Sequence, residues 1–363
     1  MKFQECLDYA AALPKEVPLF FLGPPGIGKS VLSCTIAAAQ GVDGIISRWE
    51  LTGHGPEDIV GVPFPVEQHG TRVTKFLPPE RLAILGGDVH GTLILEDITQ
   101  ASKAVQCACF QLVQERSVGA FALSPNVRII LTGNRASDKA GARELPSPLR
   151  NRVMLLNLEP DLEEWMYWAA SKGYPAVVGS FLTYKPSFFT QTPDKGCKEN
   201  GQFATPRSWE NVCRIYTASV AFGKGDIGPL QEACGGLVGE GIAAEFCGFV
   251  KLQKELPNPK AVLDDPEKWL PDPPKEADKL HAMVTALGEY AALNQGKDKK
   301  IYLKLLLALH HTSKNGGREG CAAGVSVFQA NGGDVNALCD AADQNKKDPR
   351  VLSVLKFFAA SVK

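Results

Sequence analysis

At 363 residues, with 44% hydrophobic and 22% charged side chains, the chain is ordinary globular material, too long for one small core. Its 39 basic residues nearly cancel 40 acidic ones, a formal charge of -1 that leaves no global positive field for nucleic acid or an anionic membrane. No apolar run approaches the roughly 18 residues that span a bilayer, and the ten cysteines, with no C-x-x-C pair and no secretory leader, read as free thiols of a cytoplasmic protein.

The first predicted elements are an apolar strand at Leu19 to Leu22 and a helix from Ser30 to Gln40. Between them stands GPPGIGKS, that is Gly23, Pro24, Pro25, Gly26, Ile27, Gly28, Lys29 and Ser30. Glycines without a Cβ let backbone wrap a phosphate and aim N–H groups at it, while a helix begins with its positive end toward the anion. Lys29 then reaches the β/γ-phosphates as a point charge and Ser30 offers a hydroxyl to Mg²⁺. This segment predicts nucleoside triphosphate binding.

Further strands are expected at Gly44 to Glu50, Thr92 to Glu96, Val127 to Thr132 and Val153 to Asn157, with a helix at Ser102 to Gln114. Short strands alternating with helices predict a parallel sheet covered on both faces. Two segments interrupt the rhythm as hairpins, 60 to 77 turning at His69-Gly70, and Arg116 to Leu123.

The strand in TLILEDI ends in Glu96 and Asp97, where a triphosphate site needs one carboxylate for Mg²⁺ and one for the attacking water. The strand in VRIILTGN ends in Asn134, placed to hydrogen-bond that water or the γ-phosphate, although Asn also simply suits turns. Arg150 and Arg152 precede the last strand. Singly each reads as a surface arginine; in a ring, one can reach a neighbour's γ-phosphate.

Beyond residue 158 the strands stop, and Asp161 to Lys172, Pro206 to Val220 and Leu230 to Gln253 read as amphipathic helices. The predicted organisation is an α/β nucleotide-binding domain over 1–158, a helical domain over 159–255, a Pro-rich connector over 256–280 and a helical region over 281–363 broken at Lys314 to Gly320 and at Gly332-Gly333. His310-His311 is not read as a metal site, because adjacent residues on a helix point about 100° apart.

The order GPPGIGKS, LILEDI, LTGNR, LRNRV and ATPRSW resembles the AAA+ ATPases, and within them the MoxR-type branch. The resemblance covers roughly residues 15 to 250 and implies a P-loop AAA+ parallel-sheet core with hairpin insertions, a helical lid and a C-terminal helical region. It implies ATP and Mg²⁺ as ligands, a ring oligomer, expected to be a hexamer, and a chaperone-like role beside a von Willebrand factor A domain partner. Lys29 and Ser30 would hold phosphates and Mg²⁺, Glu96 the metal, and Asn134 would be the first sensor. Arg152 matches the trans-acting arginine finger, with Arg150 as the fallback, and Arg207 matches the second sensor on the lid. Independently of the resemblance, Pro206 should start a helix and put Arg207 in its first turn, where a cation is unfavourable unless an anion faces it.

One departure matters. The family has Asp then Glu where this chain has Glu96 then Asp97, so the metal-side carboxylate is one methylene longer and Asp97, which orients water, one shorter. A displacement of about 1 Å can cost roughly a hundredfold in rate, which predicts slow hydrolysis. Two other readings stand beside the remodeller: a nucleic-acid motor or loader contacting phosphates through Arg72 and Lys75 of the first hairpin, and a nucleotide-dependent binding module with little hydrolysis.

Overall fold

The computed structural model describes residues 1–39, 44–138, 141–143, 145–191, 201–221, 227–270, 276–298 and 300–359, with side chains described at all of these except 314–318 and 356–359. Two compact units, Met1–Pro160 and Asp161–Lys363, divide the chain.

The first unit is α/β. Its helices are α1 (Phe3–Ala12), α2 (Lys29–Ala39), α3 (Pro56–Val60), α4 (Glu80–Ala83), α5 (Lys103–Glu115) and α6 (Ser147–Arg150). Its strands are β1 (Leu19–Leu22), β2 (Ile45–Glu50), β3 (Val62–Gln68), β4 (Thr71–Leu77), β5 (Gly91–Glu96), β6 (Ser117–Val118), β7 (Phe121–Ala122), β8 (Val127–Gly133) and β9 (Met154–Asn157). Five of them form one sheet in the order β2-β5-β8-β1-β9, every pair parallel. Its central strands are buried throughout, as their unbroken apolar sequences require: all seven residues of β8 and the last five of β5 are inaccessible. One layer of the core joins Leu93, Leu95, Ile129 and Leu131 to Val105, Cys109 and Leu112 of α5. On the other, Leu19, Phe21, Ile94 and Ile130 meet Leu32 and Ile36 of α2 and Cys6 and Ala10 of α1.

The expected strands and both hairpins are present, their ends shifted by a residue or so. The helix expected to end at Gln40 runs to Ala39, the last described residue there. β3 and β4 pair antiparallel across His69-Gly70, whose φ values of 52° and 74° are both left-handed, as a two-residue hairpin turn demands.

The second unit is helical: α7 (Leu162–Ser171), α8 (Ala176–Tyr184), α9 (Pro206–Ala221), α10 (Ile227–Val238), α11 (Glu240–Glu255), α12 (Pro259–Asp264), α13 (Pro266–Trp269), α14 (Ala277–Asn294), α15 (Ile301–Ala330), α16 (Val335–Gln344) and α17 (Pro349–Ala359). The single helix expected over Leu230 to Gln253 is two, because Gly239 adopts φ 93° and ends the first. Two short helices, α12 and α13, lie within the Pro-rich stretch, whose residues 271–275 fall outside the described ones.

The break expected at Lys314 to Gly320 does not occur: α15 is one 30-residue helix. Each helical glycine costs about 1 kcal/mol relative to alanine, but packing outweighs that here. α14 and α15 approach so closely that a Cβ on Gly288 would stand 2.1 Å from the Gly324 carbonyl oxygen, and Leu305, Leu306 and Leu309 are buried between them. The expected break at Gly332-Gly333 is present, with Gly332 at φ 80° before α16.

Candidate functional site

The phosphate loop leaves β1 at Leu22 and enters α2 at Lys29. Gly26 and Gly28 have φ of 75° and 99°, conformations a side chain resists. Gly23 is needed for another reason: a Cβ there would lie 2.5 Å from the Leu158 carbonyl oxygen. Lys29, 7% exposed, donates from Nζ to Gly23 O at 2.8 Å, Pro24 O at 2.7 Å and Asn134 Oδ1 at 2.6 Å. Ser30 follows it in the first turn of α2, half-buried.

Register explains why Asn134 meets Lys29. Leu22 pairs with Gly133, so Gly23 and Asn134 leave adjacent strands at the same level. Asn134 is buried, and its backbone N–H donates to Thr99 Oγ1 at 2.9 Å. Gly133 makes room for that contact, since a Cβ on it would fall 2.7 Å from Thr99 Cγ2.

Leu95 pairs with Leu131, which puts Glu96 at the same edge, level with Thr132 on β8. Glu96 is 2% exposed; its Oε2 accepts from Arg48 Nε on β2 at 2.6 Å, while its Oε1 is buried without a hydrogen-bond partner among the described residues. The Glu96 carboxylate holds the Arg48 guanidinium above its ordinary pKa. Asp97 is half-buried at φ 51°, a left-handed conformation, and its N–H donates to Thr132 Oγ1 at 3.1 Å. Strained backbone directly after a buried carboxylate fits a group held for chemistry.

Lys29 and Asn134 are thus brought into contact, and Glu96 and Asp97 stand at the same carboxyl edge, where open α/β sheets bind ligands. The residues fit a phosphate-bound divalent cation: a positive-φ loop, a lysine, a hydroxyl and a buried carboxylate oxygen with no partner among the described residues. Arg150 and Arg152 are exposed, and Arg152 donates to Pro148 O at 3.2 Å with its guanidinium 5.4 Å from the Phe110 ring centre. Arg207 belongs to the second unit, exposed in the first turn of α9. That helix begins at Pro206, capped by Thr205, whose Oγ1 accepts from Ser208 N at 3.1 Å.

Three contributors escape sequence reasoning: Arg48, Thr99 and Thr132. Thr132 is legible as the polar residue that closes an apolar run, whereas Thr99, between Ile98 and Gln100, stands in no such run. Nothing in the spacing marks Arg48, because strand order alone places β2 beside β5.

His310 and His311 do not converge: His310 Nδ1 contacts Ser353 Oγ and His311 Nε2 contacts Leu270 O, each at 2.5 Å. Among the described residues no cluster of three His, Cys, Asp or Glu side chains is arranged for a metal, no helix is long and apolar enough to cross a membrane, and nine cysteines are free. Burial pushes the Cys109 and Cys213 thiols up to about 12, so both stay protonated.

The sequence matches no protein-family model and no curated protein. Among solved structures, the chain is similar to a mutant RuvB of Thermotoga maritima, 17% identical over 79% of this chain and 81% of that one, with a TM-score of 0.42. It is also similar to NtrX from Brucella abortus in complex with ATP, 16% identical over 49% of this chain and 43% of that one, with a TM-score of 0.34. Likenesses of this strength carry no argument about function, which rests on the site itself.

Proposed function

We propose that the chain is a Mg²⁺-dependent ATPase of the MoxR-like branch of the AAA+ proteins, acting as an oligomeric, chaperone-like remodeller of a protein partner. The observation that carries the ATPase reading is the Lys29–Asn134 contact beside Glu96 and Asp97, four groups delivered by three adjacent parallel strands to one edge of the sheet.

In this reading Lys29 exchanges its loop carbonyls for β/γ-phosphate oxygens, a trade of neutral acceptors for charged ones. Ser30 and the free Oε1 of Glu96 hold Mg²⁺, which neutralises phosphate charge when bound. Asp97 orients the attacking water and takes its proton, and Asn134 hydrogen-bonds the γ-phosphate. The short reach of Asp97 supports slow turnover. Arg152, exposed beside Phe110, is the arginine assigned to a neighbouring subunit's site, with Arg150 as the alternative, and Arg207 is the lid sensor.

The remodeller role, a hexameric ring, a von Willebrand factor A domain partner and a cytoplasmic location come from the motif resemblance. The nucleic-acid reading is less well supported. Arg72 lies opposite Glu67 in the hairpin, and Arg72 and Lys75, three apart in one strand, project from opposite faces, so they form no basic stripe.

The test is phosphate release by the purified chain at increasing protein concentration, with and without Mg²⁺. Metal-dependent turnover that rises per subunit with concentration supports an assembled composite site. Turnover independent of concentration in a strictly monomeric protein removes the trans-arginine mechanism.

A further inference from the structure

The hairpin of β3 and β4 is a sheet of its own, with no third strand among the described residues. Two-stranded ribbons are marginal in water, and this one leaves Val62 and Leu77, paired at its base, 65% and 56% exposed. In an antiparallel ladder, opposed residues alternate between pairs that exchange both backbone hydrogen bonds and pairs whose N–H and C=O groups point outward. Pro63 and Pro65 have no N–H to exchange, so the pairs Pro63–Phe76 and Pro65–Thr74 point outward, and Glu67–Arg72 continues the alternation.

The two edges are therefore unlike. Along β3, two of these outward positions are prolines, which close that edge to a further strand. Along β4, Arg72, Thr74 and Phe76 each present an outward N–H and C=O; all three are exposed, and no backbone group of another described residue bonds to them. Charge then selects what can pair there. β4 carries Arg72 and Lys75 and no acid; Glu67 lies opposite Arg72, but Lys75 faces Phe64. A second copy of β4 would set cations beside cations, and a second copy of β3 is closed by its prolines. An acidic strand meets neither obstacle.

We propose that the outer edge of β4 docks an extended acidic segment of another protein, added as a third strand in the antiparallel sense, the more stable pairing. Acids opposite Arg72 and Lys75 stand three apart on the segment, on opposite faces, with apolar residues opposite Val73 and Phe76. The site rests on the hairpin alone and is independent of whether the phosphate loop serves hydrolysis.

The probe is a fluorescein-labelled peptide of sequence TVETVET with blocked ends, titrated with the full chain and followed by anisotropy. Saturable binding is expected. N-methylation of the central threonine, whose N–H meets β4 opposite Thr74, weakens it roughly tenfold or more, whereas N-methylation of the second valine, whose N–H faces away, leaves it within about twofold. Thr74→Pro removes one outward N–H without removing a hairpin hydrogen bond and weakens binding comparably; should it disturb the hairpin, the two methylated peptides still decide. The double variant Arg72→Glu with Lys75→Glu transfers the preference to TVKTVKT. No saturable binding by the wild type, equal weakening by the two methylations, or a double variant that still prefers TVETVET overturns the proposal.

Discussion

Lys29 Nζ and Asn134 Oδ1 meet at 2.6 Å across 105 residues of sequence, and the pairing of Leu22 with Gly133 fixes that meeting. The contact joins the phosphate loop to the tip of β8, so a change at either end reaches the other. Lys29→Ala should weaken ATP binding by roughly tenfold to a hundredfold, the worth of a charge-assisted hydrogen bond or two, measured by calorimetry. Asn134→Ala should leave binding within a few-fold but lower kcat by roughly a hundredfold.

Glu96 is buried with one oxygen on Arg48 and the other without a partner among the described residues. Arg48→Ala strands a buried carboxylate, so without Mg²⁺ the protein should lose about 1–2 kcal/mol in urea unfolding, a figure reduced because Arg48 is 54% exposed. Mg²⁺ should restore part of the loss. Glu96→Gln should show the opposite pattern, near-normal stability with no response to the metal.

Gly133 has no room for a side chain, since a Cβ would press on Thr99 at 2.7 Å. Gly133→Ala should cost about 1–3 kcal/mol by overpacking and, by displacing the hydroxyl that holds Asn134 N, slow hydrolysis as well. Gly288→Ala, whose Cβ would stand 2.1 Å from the Gly324 carbonyl oxygen, should destabilise the second unit comparably or more without altering ATP affinity. Unfolding curves beside ATP titrations distinguish the two variants.

His281 contacts Ser180 O at 3.2 Å, and burial lowers its pKa from 6.5 to about 4. The unfolded chain binds a proton below about pH 6.5 that the folded chain refuses until about pH 4, so stability falls as pH drops through that window. The contribution is about 2–3 kcal/mol. Urea midpoints between pH 7.5 and pH 4 should fall in the wild type and flatten in His281→Gln across this window, roughly two to three pH units wide.

Much of the first unit is legible in sequence because each signal there is local and redundant. Gly23 to Ser30 specify strand, loop and helix start together, and β5 and β8 are apolar enough to be read as central. His69-Gly70 marks its hairpin through residues suited to left-handed backbone. What escapes depends on neighbours remote in sequence. Arg48 reaches Glu96 because β2 lies beside β5, and α15 runs through its glycines because α14 packs against it. Gly239 shows the converse, a local signal missed inside an apolar periodic stretch.

The central claim is that Lys29, Glu96, Asp97 and Asn134 form an ATP-hydrolysing site. Steady-state phosphate release from ATP by the purified full chain, beside its Asp97→Asn variant, tests it most directly. The account predicts slow, Mg²⁺-dependent turnover in the wild type that falls at least about a hundredfold in the variant, with ATP still bound. Equal turnover in the two proteins, or none in either at saturating ATP and Mg²⁺, would contradict it.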